Sequence, residues 1–132
     1  MPKFSERAEA FLKEPHFGKV ATLMKDGSPQ LTPVWYMYDG GKIVINTAEG
    51  RVKLRNIRRD PRVAFLVDNG YSYIMILGRA RIARERDGKK DIETLAIRYE
   101  GEKEGRRAAR SVYWKKERVS IEVVPERVVS GL

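Results

Sequence analysis

The stretch Gly18–Thr47, GKVATLMKDGSPQLTPVWYMYDGGKIVINT, decides the fold. Two turn signals, Lys25-Asp26-Gly27 and Asp39-Gly40-Gly41, divide it into three runs rich in β-branched and aromatic residues: Lys19–Met24, Gln30–Tyr38 and Lys42–Thr47. A glycine after Asp or Gly takes the positive φ that a tight hairpin requires, so the spacing predicts an antiparallel meander. Within the second run, strand alternation sets Trp35 on the face opposite Tyr36 and Tyr38.

Outward from that stretch, Ser5–Glu14 reads as a short helix with Ser5 as N-cap, Ala8, Phe11 and Leu12 on one face, and Pro15 as its stop. After the meander, Gly50–Arg59 reads as a helix ended by Asp60-Pro61. Arg62–Asp68 is a strand, Asn69-Gly70 a tight turn, and Tyr71–Glu85 a long strand in which Gly78 marks a bulge or a close backbone approach. Asp87–Trp114 is helical, interrupted around Gly101 and Gly105, and Arg118–Val124 is a last strand ended by Pro125. The expectation is one domain over residues 1–132, mainly β (α+β), with six antiparallel strands in a closed or nearly closed barrel capped by helices. Side chains fill the interior of so small a barrel, which puts a ligand on its outside or at a subunit seam.

Composition narrows the function classes. No apolar run approaches the ~20 residues of a bilayer span, and no signal-peptide core opens the chain. A cytoplasmic protein without membrane contact is expected. Cysteine is absent and His16 is the lone histidine, which removes thiol chemistry and leaves no metal-ligand set. His16, at a helix end between Pro15 and Phe17, reads as structural. Lys+Arg 27 against Asp+Glu 18 gives a net charge of +9, which favours anionic partners. One Gln, three Asn and no Cys beside 34% charged residues is a thermophile-like usage.

The most basic segment, AEGRVKLRNIRRDPR from Ala48 to Arg62, divides on a helical wheel. Arg51, Arg55, Arg58 and Arg59 make an outward face, while Lys53 and Asn56 fall among Val52, Leu54 and Ile57. An inward ammonium must snorkel out, meet a carboxylate such as Glu49, or hold a bound anion. Lys53 sits in the first turn, where free backbone N–H groups favour an anion. No Ser/His/Asp set, P-loop or GxGxxG pattern is present, so any redox chemistry would belong to a cofactor. The outward arginines lack a nucleic-acid motif or a base-stacking platform, and nucleic acid ranks last among the partners.

The runs GKVATLMKDGSPQLTPVWY, IVINTAEGRVKLRNIRRDPRVAFLV and GYSYIMILGRARI carry a resemblance. Together they resemble the pyridoxamine 5′-phosphate oxidase-like FMN-binding split β-barrel family, closest to its small flavin/deazaflavin-dependent oxidoreductase branch. The resemblance implies a split barrel that forms a homodimer, with cofactor sites at the subunit interface. It implies FMN, or alternatively the deazaflavin coenzyme F-420, as cofactor. The Arg-x-Lys-x-x-Asn element (Arg51, Lys53 and Asn56) is its most specific part, with Arg51 and Lys53 on the cofactor phosphate. Pro33, Val34 and Trp35 would line the isoalloxazine ring, with Asn46 and Thr47 beside the ring and the ribityl chain. Tyr71 and Tyr73 would approach from the partner subunit. The substrate-gripping Arg-x-His pattern of pyridoxamine-phosphate oxidases has no counterpart in VSIEVVPERVVSGL. The implied activity is therefore hydride transfer to or from an unknown small molecule, with a non-catalytic flavin carrier or sensor as the alternative. No proton donor stands out among Tyr36, Tyr71 and Tyr73.

Overall fold

The computed structural model describes residues 2–132. A first helix, α1 (Glu6–Lys13), starts where the Ser5 hydroxyl oxygen accepts the Ala8 N–H at 3.1 Å, and it buries Ala8, Phe11 and Leu12. The strands follow as β1 (Gly18–Leu23), β2 (Pro29–Val34), β3 (Met37–Asp39) and β4 (Lys42–Ala48). Next come α2 (Val52–Arg59), β5 (Arg62–Asp68) and β6 (Tyr73–Ile82). A helical hairpin, α3 (Gly88–Glu100) and α4 (Glu102–Ser111), leads through a short 3-10 turn (Tyr113–Lys115) to β7 (Arg118–Ser130).

Seven strands rather than the expected six form one antiparallel sheet in the order β2-β1-β5-β6-β7-β4-β3. The difference lies in Gln30–Tyr38, which breaks at Trp35-Tyr36 instead of running through. Both hairpins form, β1 with β2 and β3 with β4, but they occupy opposite edges of the sheet, so the chain is not a meander. Tyr36 lies at the break. Its ring is fully buried against Phe65, and its hydroxyl donates to the Glu14 carbonyl at 3.0 Å. Alternate residues of the curled sheet, among them Val20, Ile45, Phe65, Ile76 and Ile121, fill the core. The sheet is an open, split barrel with flanking helices.

β7 runs straight through Pro125, the expected stop. Leu77 pairs with Arg127 and Gly78 with Pro125, so Glu126 is an extra residue and the ladder has a bulge there. A proline has no N–H for the ladder, and the bulge is where a strand tolerates it. The backbones close up at this point: a Cβ on Gly78 would lie 2.2 Å from the Val124 carbonyl oxygen.

Glycine also shapes the helical hairpin, though not as a break at both expected places. Gly101 takes φ +93 and ends α3. Gly105 is inside α4, buried, and a Cβ there would sit 2.5 Å from the Ala96 carbonyl carbon and oxygen. It lets the two helices touch backbone to backbone. Gly105→Ala forces them apart, and thermal melts should show a loss of about 1–3 kcal/mol.

One buried acid ties the sheet together. Glu122 on β7 accepts Lys42 Nζ at 3.2 Å and Arg81 Nη2 at 2.6 Å, with Arg86 Nη1 3.6 Å away. Arg86 also bonds Asp91 and Asp39 at 2.8 and 2.9 Å, and the Ser120 hydroxyl donates to Asp91 at 2.6 Å. The network joins the two central strands β6 and β7 to β4, β3 and the first turn of α3. On the outer face Ala21, Leu31, Ala64, Leu66, Met75 and Leu77 remain wholly or partly exposed, Leu31 by 67%. No helix among the described residues is long and apolar enough to cross a membrane.

Candidate functional site

Where β2 ends, β4 ends and α3 begins, the elements enclose a cavity of about 320 Å³. Pro33, Val34 and Trp35 from the end of β2 line it together with Ile92 and Leu95 of α3. Asn46, Thr47 and Ala48 of β4 contribute to the lining, and Arg51, Lys53, Arg118 and Tyr113 complete it. The cavity is thus bipolar, with an apolar, aromatic end and a cationic end, and no carboxylate lines it.

The cationic end is built at the start of α2. Arg51 is the N-cap in extended conformation and supplies no capping side chain, and the first turn holds no acidic residue. Lys53 is half-buried. Burial lowers its ammonium pKa, and the Arg51 and Arg118 guanidinium charges push it further the same way. Arg118, at the start of β7, is likewise held below its ordinary value by burial and then by Arg51. Its guanidinium lies 5.9 Å from the Tyr113 ring centre. Asn46 orients it: the amide oxygen accepts Arg118 Nε at 2.9 Å, while the amide nitrogen donates to the Gly88 carbonyl at 3.0 Å and the Ser120 hydroxyl at 3.3 Å. Three like charges converge without a countercharge from the lining, an arrangement that costs free energy unless an anion joins it.

At the apolar end the Trp35 indole stacks on Tyr99 (5.4 Å, 8°) and meets Tyr113 edge-on (5.8 Å, 89°).

Of the residues singled out in the sequence, Pro33, Val34, Trp35, Asn46, Thr47, Arg51 and Lys53 all reach this cavity. Asn56 does not line it. Its amide nitrogen donates to the Thr22 hydroxyl at 3.0 Å and to Met24 sulfur at 3.3 Å, and its oxygen accepts Arg59 at 2.7 Å, so it pins α2 to β1. Tyr71 lies on the β5–β6 turn and Tyr73 opens β6; both line a separate hollow with Leu66 and Asp68. Tyr71 is 96% exposed. Tyr36, one of the proton-donor candidates, is buried outside the cavity. His16 stacks on Phe11 at 4.4 Å. On the outer face of α2, Arg58 grips Glu49 through two bonds of 2.7 and 3.0 Å, and Arg59 donates to the Leu23 carbonyl.

Arg118 and Tyr113 were not singled out in the sequence. No periodicity distinguishes Arg118 from the other cations; the pairing of Ala48 with Arg118 across β4 and β7 brings it here.

Residues 4–130 match the sequence profile of the family described as pyridoxamine 5′-phosphate oxidase. The chain belongs to that family. Solved structures agree with the pyridoxamine 5′-phosphate oxidase assignment. A conserved hypothetical protein of Mycobacterium tuberculosis is 28% identical over 98% of this chain and 85% of its own, with a TM-score of 0.78. An F420 reductase is 28% identical over 98% of both chains, with a TM-score of 0.73. The heme storage protein HutZ of Vibrio cholerae (12% identity, 98% of this chain and 95% of that one, TM-score 0.70) shares the fold.

Proposed function

We propose that the chain is a flavin-dependent oxidoreductase whose cavity holds a phosphate-bearing flavin and presents its ring to a small substrate. The supporting observation is the uncompensated trio Arg51, Lys53 and Arg118 at one end of a cavity whose other end is apolar and aromatic. The residues fit such a group. A phosphate supplies the countercharge that the lining lacks, and the first-turn N–H groups of α2 add donors. Pro33, Val34, Trp35, Ile92 and Leu95 offer a flat ring an apolar and aromatic surface. Asn46 holds Arg118 in place, so the anion grip is preorganised. When bound, the cofactor supplies hydride transfer at its central ring.

FMN and the deazaflavin coenzyme F-420 share a ribityl chain and a phosphate, and two observations favour F-420. The likeness to the F420 reductase spans nearly the whole of both chains. Three cations also exceed the charge of one phosphomonoester, about −1.5 to −2, so a ligand with a further anionic group suits the cavity better. On the outer α2 face, Arg58 is already engaged with Glu49 and Arg59 with the Leu23 carbonyl, which makes these two poor candidates for a tail or for nucleic acid.

The uncovered apolar sheet face around Leu31, Leu66 and Met75 suits a second copy of the chain. In such a homodimer the exposed Tyr71 and Tyr73 would be free to reach the other protomer's cavity.

Titrating the purified protein with FMN and with F-420 tests the reading. At least one should bind with a shifted visible spectrum, more weakly as salt rises, and sedimentation should report a dimer. Binding of neither would overturn it.

A further inference from the structure

Tyr99, in the last turn of α3, is outside the cavity lining, yet its ring stacks on Trp35, one of the two aromatic residues that line the cavity. β2 ends at Val34 and β3 begins at Met37, so Trp35 and Tyr36 lie between the two strands. Backbone groups outside the ladder need other partners. The Tyr99 hydroxyl supplies them: it accepts the Tyr36 N–H at 3.2 Å, and its proton faces the carbonyls of His16 at 2.6 Å and Tyr36 at 3.1 Å. The same ring stacks on Trp35, nearly parallel, and on Phe17 at 5.4 Å and 24°. Arg98 binds next to it, donating to the carbonyls of Lys13, Leu12 and Glu14 and so fixing the end of α1 against α3.

A residue needed only to fill space would not place its hydroxyl on the backbone where the chain crosses between the sheet edges. Trp35 is half-buried, and its ring is shared between the cavity and Tyr99. The plane of the indole is therefore set from behind, by α3, rather than by the strand that carries it. We propose that Tyr99 is a positioning residue that holds the Trp35 ring and the Tyr36 backbone in the orientation a flat cofactor ring meets. This rests on the flavin reading above for its ligand, but its geometry can be tested without one.

The test uses Tyr99→Phe, which keeps the stack and loses the hydroxyl, and Tyr99→Leu, which loses both. A Trp114→Phe background leaves Trp35 as the lone indole, since the chain has two tryptophans. In Tyr99→Leu, Trp35 emission should shift to the red and its anisotropy should fall in the ligand-free protein. Affinity for whichever of FMN and F-420 the parent protein retains should fall about tenfold, the size of a lost aromatic pair. Affinity for inorganic phosphate, held by Arg51, Lys53 and Arg118 on other elements, should stay within about twofold. Tyr99→Phe should fall between the parent and Tyr99→Leu on the flavin measurement and leave phosphate unchanged.

Two results would overturn the inference: an unchanged Trp35 signal in Tyr99→Leu, or flavin and phosphate affinities falling together. The second would make Tyr99 a general support of the fold. A parent protein that takes up neither flavin sinks the cofactor reading, while the Trp35 signal still decides what Tyr99 does.

Discussion

In Lys53→Ala protein, affinity for the flavin proposed to occupy the cavity should fall about a hundredfold, whereas Arg58→Ala should leave it within about twofold. The contrast comes from what each cation already holds. Arg58 is exposed and spends its donors on Glu49. Lys53 is half-buried, faces the cavity, and has only positive charges acting on it. A charge-assisted bond in such a setting contributes about 1.5–3 kcal/mol, and at its upper end that is the hundredfold.

Stability should move the other way. The folded state depresses the Lys53 pKa below 10.5, so the unfolded chain binds its proton more strongly. The resulting destabilisation is fully present below the folded pKa and is relieved as pH rises toward 10.5. Ligand-free Lys53→Ala should therefore melt at or above the parent temperature at neutral pH, and it should lose the rise in stability that the parent shows at alkaline pH. Calorimetric titration with the cofactor and melts across pH would measure both. Equal affinity losses in Lys53→Ala and Arg58→Ala would return the anion to the outer face of α2.

The second large effect concerns Glu122. Its carboxyl is pushed up by burial, but Arg81 and Lys42 outweigh that and leave it below the usual 4.5. Glu122→Gln removes the carboxylate that Lys42, Arg81 and Arg86 share; Lys42 loses its salt bridge, while Arg81 keeps Glu85 and Arg86 keeps Asp39 and Asp91. Removing one partner of a fully buried pair costs about 3–5 kcal/mol. Because Arg81 and Lys42 are 49% and 34% exposed and can turn to water, about 2–3 kcal/mol is the expected loss. For a chain of this length that lowers the melting temperature by about 10 °C. The sign with pH is fixed by the depressed carboxyl: its stabilisation is present above 4.5 and disappears as pH falls through the folded pKa. Parent and variant should converge in acid, and a gap that persists there would locate the loss in packing rather than charge.

The turns were legible because they are local. Gly27, Gly40 and Gly41 take φ of +88, +58 and +88, the conformations that the Asp-Gly and Gly-Gly pairs announce. What those turns join was not legible. Trp35 and Tyr36 continue a strand pattern, and the residues that break it, Glu14 and Tyr99, are far away in sequence. Lys53 stood out because a helix repeats within a few residues, so an inward ammonium contradicts its own neighbours. Asn56 gave the same signal for a different reason, a bond to Thr22 inside the fold. Arg118 gave none, since its place follows from a strand register set between residues 46–48 and 118–120. Fold class therefore followed from pattern, while one of the three cations of the cavity, Arg118, followed only from pairing.

The opposite-edge placement of the two hairpins has a consequence for how the chain is made. β7 lies between β6 and β4, pairing Val123 with Ile43 across eighty positions of chain. One side of the cavity is synthesised by residue 53, but Arg118 and the strand that carries it come near the end. The emerging chain can close its first hairpin at once, while the sheet edge beside β4 stays unpaired until the last strand inserts. Such non-local pairings are slow, in the millisecond-to-second range. The cavity is thus completed only late in folding, and a ribosome-bound chain lacking β7 would carry two of its three cations, Arg51 and Lys53, and an open seam.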